Sequence, residues 1–381
     1  MNTSTLHSPE VSVRLIASSK NWIEGEAVRQ LYATAKLPGV RHAVGLPDLH
    51  PGKGHPVGAA FVAEEVIYPH LIGCDVGCGM ALFQTDLLRR KAKLDRWAKL
   101  RFDLEHPWEG DVRERLAGEG LVSSQFAESF GTLGGGNHFA ELQAVEKVFD
   151  PEAFSALGLA KDALALLVHS GSRGLGLSVF SDYLEEHGAT GVAADADAAT
   201  RYLLTHDHAV RWAAGNRALL AQRFADTLGA TNRRVLDSCH NSVGCRELEG
   251  RTVWVHRKGA APADKGPLVI PGSRGTFSYL VQPLAAGVAS GWSVAHGAGR
   301  KWTRSESRGR SRERFHHDEL QVAVVRNWRI GINARAPARK RNNGQRQSNC
   351  ELSQPTHYAT HPAPLYTAML LADEVLAVVQ Y

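Results

Sequence analysis

The chain of 381 residues contains few cysteines and no long apolar run. Its five cysteines are too few and too irregularly spaced for a disulfide framework, so we expect free thiols in a reducing cytoplasm. No apolar stretch is long enough to cross a bilayer, and the polar residues 1–9 do not resemble a signal peptide. We therefore expect a cytoplasmic protein with no membrane association.

Histidine is what the sequence has in quantity. The 18 histidines favour a metal site, because neutral imidazole is the commonest transition-metal ligand in proteins. The formal net charge of +5 and the pI of about 9.0 permit a polyanionic partner such as RNA. Hydrophobic residues make up 43% and charged residues 22%, which is typical of a globular protein.

Local patterns predict short strands and helices without a regular βαβ rhythm, and hence an α+β fold. Strands are predicted at 11–18, 80–86, 163–168, 252–256, 267–270 and 277–281. Helices are predicted at 22–36, at 193–228 as either one long helix or two helices divided near Asp207 or His208, and at 366–381. No internal repeat is evident, and the connections are rich in glycine, which suggests backbone held close to a ligand or at positive φ.

The segment GCDVGCG at 73–79 places Asp75 and Cys78 three residues apart among glycines. A thiolate can bridge two metal ions, and a carboxylate favours harder ions such as Mn²⁺. The alternative is a buried turn with an inert cysteine, which is about equally common for such a motif taken alone.

Two further segments place histidines beside glycines. In GGGNHFAE at 134–141, three glycines leave N–H groups free to cradle a phosphate in front of His138, and the alternative is a glycine turn capped by Asn137. In HSGSR at 169–173, His169 ends an apolar strand, and the following serines and Arg173 are natural anion contacts. A satisfied core histidine is the competing interpretation of His169.

Three weaker segments complete the set. SCHNS at 238–242 supplies His240 and Asn241, or is simply the end of a strand. PGSRGTFS at 271–278 suits a nucleotide phosphate or sugar, or a polar hairpin turn. AHGAGRK at 295–301 offers His296 as a nucleophile toward phosphorus, or a strand that ends in a glycine turn.

Taken together, these residues supply one thiol, one or two carboxylates and four histidines. That set suffices for two metal ions, and a two-metal site clamps the attacking and leaving oxygens of phosphoryl transfer. The residues alone therefore predict metal-dependent phosphoryl or nucleotidyl chemistry.

The ordered motifs resemble those of the RtcB family of RNA ligases over about residues 11–306. They are PDLHPGKG at 47–54, GCDVGCG at 73–79, GGGNHF at 134–139, HSGSR at 169–173, PGSRG at 271–275 and HGAGR at 296–300. The compact length and HRKGAAPAD at 256–264 resemble the shorter bacterial branch that is often encoded beside a release-factor-like protein.

This resemblance implies mixed β-sheets around a central metal and nucleotide cleft. It also implies a GTP-dependent enzyme with two Mn²⁺ per subunit that joins an RNA 3′-phosphate or 2′,3′-cyclic phosphate to a 5′-hydroxyl. Broken RNAs or tRNA-like and rRNA-like processing ends would be the substrates, in RNA repair or tRNA processing.

Residue roles follow from the same resemblance. Cys78 would bridge the two ions, with Asp75 and His138 on one and His169 and His240 on the other. His296 would become guanylylated, and Arg173 and Arg300 are candidates for a phosphate clamp. Contacts to GMP are implied for Asn137, His138, Phe139, Ala140, Glu141, His240, Asn241, Pro271, Gly272, Ser273, Arg274, Ser278, His296, Gly297, Ala298 and Gly299.

The sequence departs from the family after about Glu306. We therefore predict a catalytic domain at 1–306 and a divergent, basic, partly disordered segment at 307–381. The family holds guanine with a lysine near the C-terminus, but the last lysine here is Lys340, which predicts weakened guanine specificity or reduced ligation. Two alternatives stay open: a metal-dependent phosphodiesterase that only opens cyclic phosphates, and an RNA-binding relic that is inactive because of the divergent tail.

Overall fold

The computed structural model describes residues 2–7, 11–18, 21–97, 99–272, 277–283, 287–297, 328–330 and 372–380. Its strands are Asn2–His7 (β1), Ser12–Ala17 (β2), Val40–His50 (β3), Val57–Glu64 (β4), Val66–Ile67 (β5), Gly79–Leu88 (β6), Phe139–Val148 (β7), Ala163–Ser170 (β8), Val192–Ala193 (β9), Asn232–Cys239 (β10), Asn241–Leu248 (β11), Arg251–Lys258 (β12), Ala260–Pro262 (β13), Leu268–Ile270 (β14), Ser278–Pro283 (β15), Ser293–Ala295 (β16), Trp328–Ile330 (β17) and Ala372–Gln380 (β18). Its α-helices are Gly25–Ala35 (α1), Leu94–Trp97 (α2), Val112–Gly118 (α3), Pro151–Ala156 (α4), Gly174–His187 (α5) and Asp197–Leu228 (α6).

The first large sheet has the strand order β1-β2-β3-β4-β12-β11. Only β2 and β3 pair in parallel, because α1 connects them, and the remaining neighbours are antiparallel. Helix α1 packs on this sheet through Ala27 and Leu31, which are fully buried with Phe61 of β4. The predicted strand at 11–18 and helix at 22–36 are confirmed to within a few residues.

The second large sheet has the order β10-β6-β8-β7-β18-β15-β14, with β17 also paired to β7. Every residue of β8 is buried, because both faces of the sheet are covered. One face packs against Leu220 and Phe224 of α6, and the other packs against Phe154 of α4 and its neighbours. The predicted strands at 80–86, 163–168, 252–256, 267–270 and 277–281 are confirmed, and mixed helices and sheets make the α+β class correct.

Helix α6 runs without interruption from Asp197 to Leu228, so of the two alternatives the single long helix is correct and the chain does not break near Asp207 or His208. The polar residues there find partners while the helix continues. His206 accepts a hydrogen bond from the backbone N–H of Val243 at 3.1 Å, and its other ring nitrogen lies 2.8 Å from the Asp207 carboxylate. The helix ends at Gly229, whose φ of 66° suits glycine.

The predicted C-terminal helix at 366–381 is wrong where the structure describes it. Residues Ala372–Gln380 form β18, which lies between β15 and β7, and residues 366–371 and 381 lie outside the described residues. Valines at 375, 378 and 379 explain the outcome, since β-branched residues favour strands and a short apolar run fits either period.

Both β17 and β18 come from the predicted divergent segment 307–381, and the rest of that segment lies outside the described residues. The division of the chain at 306 stays a prediction. Among the helices that the structure describes, none combines the length and apolar character that crossing a bilayer requires.

Candidate metal and nucleotide site

Four strand ends of the second sheet bring the predicted metal ligands together. Met80 and Phe139 both pair with His169, one on each side of β8, so Cys78 and His138 enter the sheet beside it. On the far side of β6, Gly79 pairs with Cys239, which directly precedes His240. The backbone N–H of His240 donates to the carbonyl of Cys78 at 2.8 Å, which fixes these two residues side by side.

The thiol of Cys78 lies at the centre of the cluster. Its Sγ is 3.4 Å from Nε2 of His138 and 3.2 Å from Nε2 of His169. His169 Nε2 is in turn 3.4 Å from Nε2 of His240, and His138 Nε2 is 3.0 Å from the Asp75 carboxylate. The ligand atoms therefore form two groups that share Cys78: one with His169 and His240, and one with Asp75 and His138.

The outer ring nitrogens of two histidines are held by backbone carbonyls. Nδ1 of His138 lies 3.0 Å from the carbonyl of Leu133, and Nδ1 of His169 lies 2.9 Å from that of Asn137. Because a carbonyl only accepts, both Nδ1 atoms carry the proton and both Nε2 lone pairs face Cys78. This arrangement, with a carbonyl behind a histidine ligand, is the usual support of a metal centre.

Burial sets the protonation of the cluster. It raises the pKa of the Cys78 thiol well above its ordinary value, and the nearby Asp75 carboxylate adds to that shift. Burial also lowers the pKa of His240 well below its ordinary value, with help from the neighbouring His296 ring, so His240 is a neutral donor. Burial works to raise the pKa of Asp75, but the interactions with His138, Cys78 and Arg173 together outweigh it, so the pKa lies below its ordinary value and the carboxyl is ionised.

His296 lies directly after β16 and faces the cluster. Its ring centroid is 4.7 Å from that of His240. Its Nδ1 lies 2.8 Å from a carboxylate oxygen of Asp48, whose side chain is 1% exposed. The pair is close but not aligned as a hydrogen bond, and within the described residues neither carboxylate oxygen of Asp48 has a hydrogen-bond partner. The contact leaves Nε2 of His296 as the ring nitrogen available for chemistry.

Several residues predicted to contact GMP lie beyond this cluster, where β7 and β15 meet the segment 271–272. The buried Gln143 side chain donates to Glu141 at 2.7 Å and to the Ser278 hydroxyl at 3.2 Å, and that hydroxyl accepts from Gly272 N–H at 3.1 Å. Gly297 lies near Pro271: a Cβ built on the glycine would be 3.8 Å from Cγ of the proline ring.

The other predicted contacts fall in three places. The Phe139 ring meets the His169 ring edge-on, with 5.5 Å between the ring centroids. Ala140 is buried in the core, in the same cluster as Leu220 and Phe224 of α6. The Asn241 side chain donates to the Asp75 carbonyl at 3.1 Å and accepts from Gly259 N–H at 2.7 Å, so its amide ties two loops together. Ser273, Arg274, Ala298, Gly299 and Arg300 lie outside the described residues.

Arg173 lies across the glycine loop in an unusual backbone conformation. Its φ is 58° and its ψ is −138°, a combination that glycine adopts far more easily. The guanidinium fills the space that a Cβ on Gly134 would need, and its Nε donates to the Thr132 hydroxyl at 3.3 Å. Strain of this kind concentrates at functional sites, which supports a functional interpretation of Arg173.

Sequence reasoning did not single out two residues of the site. Asp48 lies in the quoted motif PDLHPGKG, but nothing in the sequence connects it to His296. Gln143 alternates with Glu141 along β7, and two polar residues at that spacing in the otherwise apolar stretch 139–145 were the available signal.

Comparison with known proteins adds the family to this geometry. The family model described as tRNA-splicing ligase RtcB matches residues 30–120 and 110–335. The RNA-splicing ligase RtcB2 of Escherichia coli is 45% identical over 314 residues, covering 81% of this chain and 81% of the relative. The tRNA-splicing ligase RtcB of Aeropyrum pernix is 30% identical over 379 residues, with 75% and 78% covered. The RNA-splicing ligase RtcB of Mycobacterium tuberculosis is 29% identical over 366 residues, with 73% and 84% covered. The chain therefore belongs to the RtcB family of RNA-splicing ligases.

Proposed function

We propose that this RtcB-family ligase uses GTP and two Mn²⁺ ions to join an RNA 3′-phosphate or 2′,3′-cyclic phosphate to a 5′-hydroxyl. The observation that carries the proposal is the shared thiol of Cys78, which belongs to both ligand groups at 3.2–3.4 Å from the histidine nitrogens, with the His296 ring beside them.

The donor set fits two ions of this kind. Cys78, His169 and His240 would hold one ion, and Cys78, Asp75 and His138 the other. The carboxylate of Asp75 suits a harder ion such as Mn²⁺, and two Nε2 lone pairs already face the shared thiol. When bound, the ions would neutralise phosphate charge and act as Lewis acids.

His296 is the proposed nucleophile. Nε2 would attack the α-phosphorus of GTP, forming a phosphorus–nitrogen bond and expelling pyrophosphate. The buried Asp48 carboxylate would hold the proton on Nδ1 and stabilise the positive charge that develops on the ring during attack. A neutral His240 beside it adds no opposing charge.

Two further transfers would complete ligation. An oxygen of the RNA 3′-phosphate attacks the phosphorus of the histidine-bound GMP and regenerates His296. The 5′-hydroxyl then attacks the activated 3′-phosphate, loses its proton and expels GMP. A cyclic phosphate must first be hydrolysed to the 3′-phosphate. Arg173, which lies over the glycine loop, would bind phosphate oxygens in these steps.

The nucleotide would contact the residues that the resemblance implies for GMP; those within the described part of the chain are Asn137 to Glu141, His240, Asn241, Pro271, Gly272, Ser278, His296 and Gly297. The departure from the family pattern after about Glu306 supports a weaker preference for guanine. We expect ATP to compete with GTP in labelling the protein more strongly than it does for a relative that follows the family pattern there.

The surroundings of the reaction are part of the proposal. A functional free thiol requires a reducing compartment, so we place the protein in the cytoplasm. Broken or processed tRNA-like or rRNA-like ends are the proposed substrates, and joint action with a release-factor-like protein is an expectation from the resemblance.

The test is incubation of the protein with Mn²⁺ and α-labelled GTP, followed by denaturation. We expect label that survives denaturation in the wild type and disappears in His296→Ala. His106→Ala is the matched control, since His106 also contacts an aspartate, Asp103, at 2.6 Å but lies on the surface. Opening of a cyclic phosphate without label would favour a phosphodiesterase, and neither activity would favour an inactive RNA-binding relic; both results would contradict the proposal.

A further inference from the structure

Two consecutive residues of α6, Asn216 and Arg217, contact every segment that carries a metal ligand. Both side chains are fully buried, and neither belongs to the ligand groups. A buried arginine is uncommon because its charge must be fully paired, so its partners indicate its role.

The Arg217 guanidinium connects three of these segments. Its Nη1 donates to the carbonyl of Gly77 at 2.9 Å, one residue before Cys78, and to the carbonyl of Ser170 at 2.8 Å, one residue after His169. Its Nε and Nη2 donate to the two carboxylate oxygens of Asp237 at 2.8 and 2.6 Å, on the strand that leads to His240. The bidentate pair fixes the plane of the guanidinium and therefore the direction of its other donors.

The Asn216 amide connects the fourth segment. Its Oδ1 accepts from Gly131 N–H at 2.6 Å, and its Nδ2 donates to the Thr132 carbonyl at 3.2 Å, both in the loop that leads to His138. The same Nδ2 lies 3.2 Å from the Ser170 hydroxyl and 3.1 Å from the Gly171 carbonyl, just after His169.

Close packing supports these hydrogen bonds. A Cβ on Gly77 would lie 2.9–3.0 Å from Ala213 and the backbone of α6, so the loop that carries Asp75 and Cys78 rests directly on the helix. A Cβ on Gly79 would lie 3.1 Å from Cζ of Arg217. The glycines on both sides of Cys78 therefore let the ligand loop approach this part of α6.

We propose that Asn216 and Arg217 are positioning residues that set the spacing of the two ligand groups, so that both ions can share Cys78. They do so from a single 32-residue helix, which acts as a common reference for four segments far apart in the chain. Residues behind metal ligands typically change metal affinity 10- to 100-fold when they are substituted. The inference rests on the proposed two-ion site.

The test measures metal binding without turnover. Mn²⁺ is titrated into the wild type, Arg217→Lys and Asn216→Ala by calorimetry, and the absorption of the Co²⁺-loaded proteins reports thiolate ligation. We expect two ions in the wild type, and in both variants a roughly 10- to 100-fold weaker affinity for at least one ion with an altered Co²⁺ spectrum. Lysine keeps the charge but lacks the planar fork, so it separates geometry from charge.

Arg246→Lys is the matched control, because Arg246 also pairs with an aspartate, Asp264, and donates to a carbonyl, that of Cys245, but neither partner lies in a segment that carries a metal ligand. Its metal affinity should equal that of the wild type. If Arg217→Lys does not fold, Asp237→Asn tests the same guanidinium from its partner.

Folded variants that bind both ions with wild-type affinity and spectrum would overturn the inference. Failure of all three variants to fold would also overturn it, because the residues would then be structural only. If the wild type itself binds no ion, the proposed function fails instead.

Discussion

Nδ1 of His296 lies 2.8 Å from the buried carboxylate of Asp48, and its ring faces the histidine of one metal-ligand group. The acid therefore lies against Nδ1, and in the proposed function Nε2 is the ring nitrogen that attacks phosphorus. Asp48→Asn should therefore impair attack, because an amide neither stabilises the developing positive charge nor selects the same tautomer.

We expect the rate of His296 labelling by GTP to fall on the order of 100-fold in Asp48→Asn, with Mn²⁺ binding nearly unchanged. Single-turnover labelling and calorimetry measure the two effects. Asp103→Asn, which alters an exposed Asp–His pair, is the control. Unchanged labelling in Asp48→Asn would contradict the proposal that Asp48 assists attack by His296.

Gly79 is a second point at which the geometry can be tested. A Cβ there would lie 2.5 Å from the Ser238 carbonyl and 3.0 Å from Cα of Cys239, both backbone atoms that cannot move independently. Gly79→Ala should push β6 from β10 and separate Cys78 from His240. The group with His169 and His240 should lose affinity for its ion more than the group with Asp75 and His138.

The control for this substitution is Gly244→Ala, since a Cβ at Gly244 meets no atom within 4 Å. It should bind two ions as the wild type does. Equal metal binding in Gly79→Ala and Gly244→Ala would show that the spacing of β6 and β10 does not govern the site.

Arg173 allows strain to be separated from function. Arg173→Ala and Arg173→Gly both remove the guanidinium, but only alanine must keep the unfavourable φ of 58°. We expect Arg173→Gly to be about 1 kcal/mol more stable than Arg173→Ala, and both variants to lose ligation to a similar extent. Chemical denaturation gives the stability difference. An alanine variant at least as stable as the glycine variant would mean that the backbone is not strained.

Because His256 is buried, we expect the folded protein to lose stability in acid. Burial lowers its pKa to about 3, and its Nε2 accepts from Tyr68 N–H at 2.8 Å, so protonation would set two N–H groups against each other. The unfolded histidine, with a pKa near 6.5, binds a proton more readily, so the stabilising contribution is present above pH 6.5 and is lost as the pH falls.

The titration of His256 alone should make the free energy of unfolding about 2 kcal/mol lower at pH 5 than at pH 7.5. His256→Gln keeps an acceptor for Tyr68 without a titrating ring, and its urea midpoint should change less between the two pH values. An identical pH dependence in His256→Gln and the wild type would contradict the assignment.

The sequence singled out the residues of the candidate cluster because each sits in a short motif that carries its own chemical signal, and their role as metal ligands stays a prediction. Cys78 lies among glycines, and His138 and His169 lie at strand ends. These motifs meet because β10, β6, β8 and β7 pair in a particular register. The motifs themselves do not reveal that register.

Residues that act through long-range contacts could not be predicted. Arginine side chains on a helix usually face solvent, and only the structure shows that Arg217 is fully buried against Asp237. The wrong helix at 366–381 has a similar cause, since pairing with β15 and β7 decides between two periods that a short apolar run satisfies equally.

The most direct test of the account is anomalous scattering at the manganese edge from crystals of the protein grown with Mn²⁺. We predict two peaks that both lie within bonding distance of Sγ of Cys78, one among His169 and His240 and the other beside Asp75 and His138. A single peak, or manganese bound away from Cys78, would contradict the two-ion site on which the proposed chemistry depends.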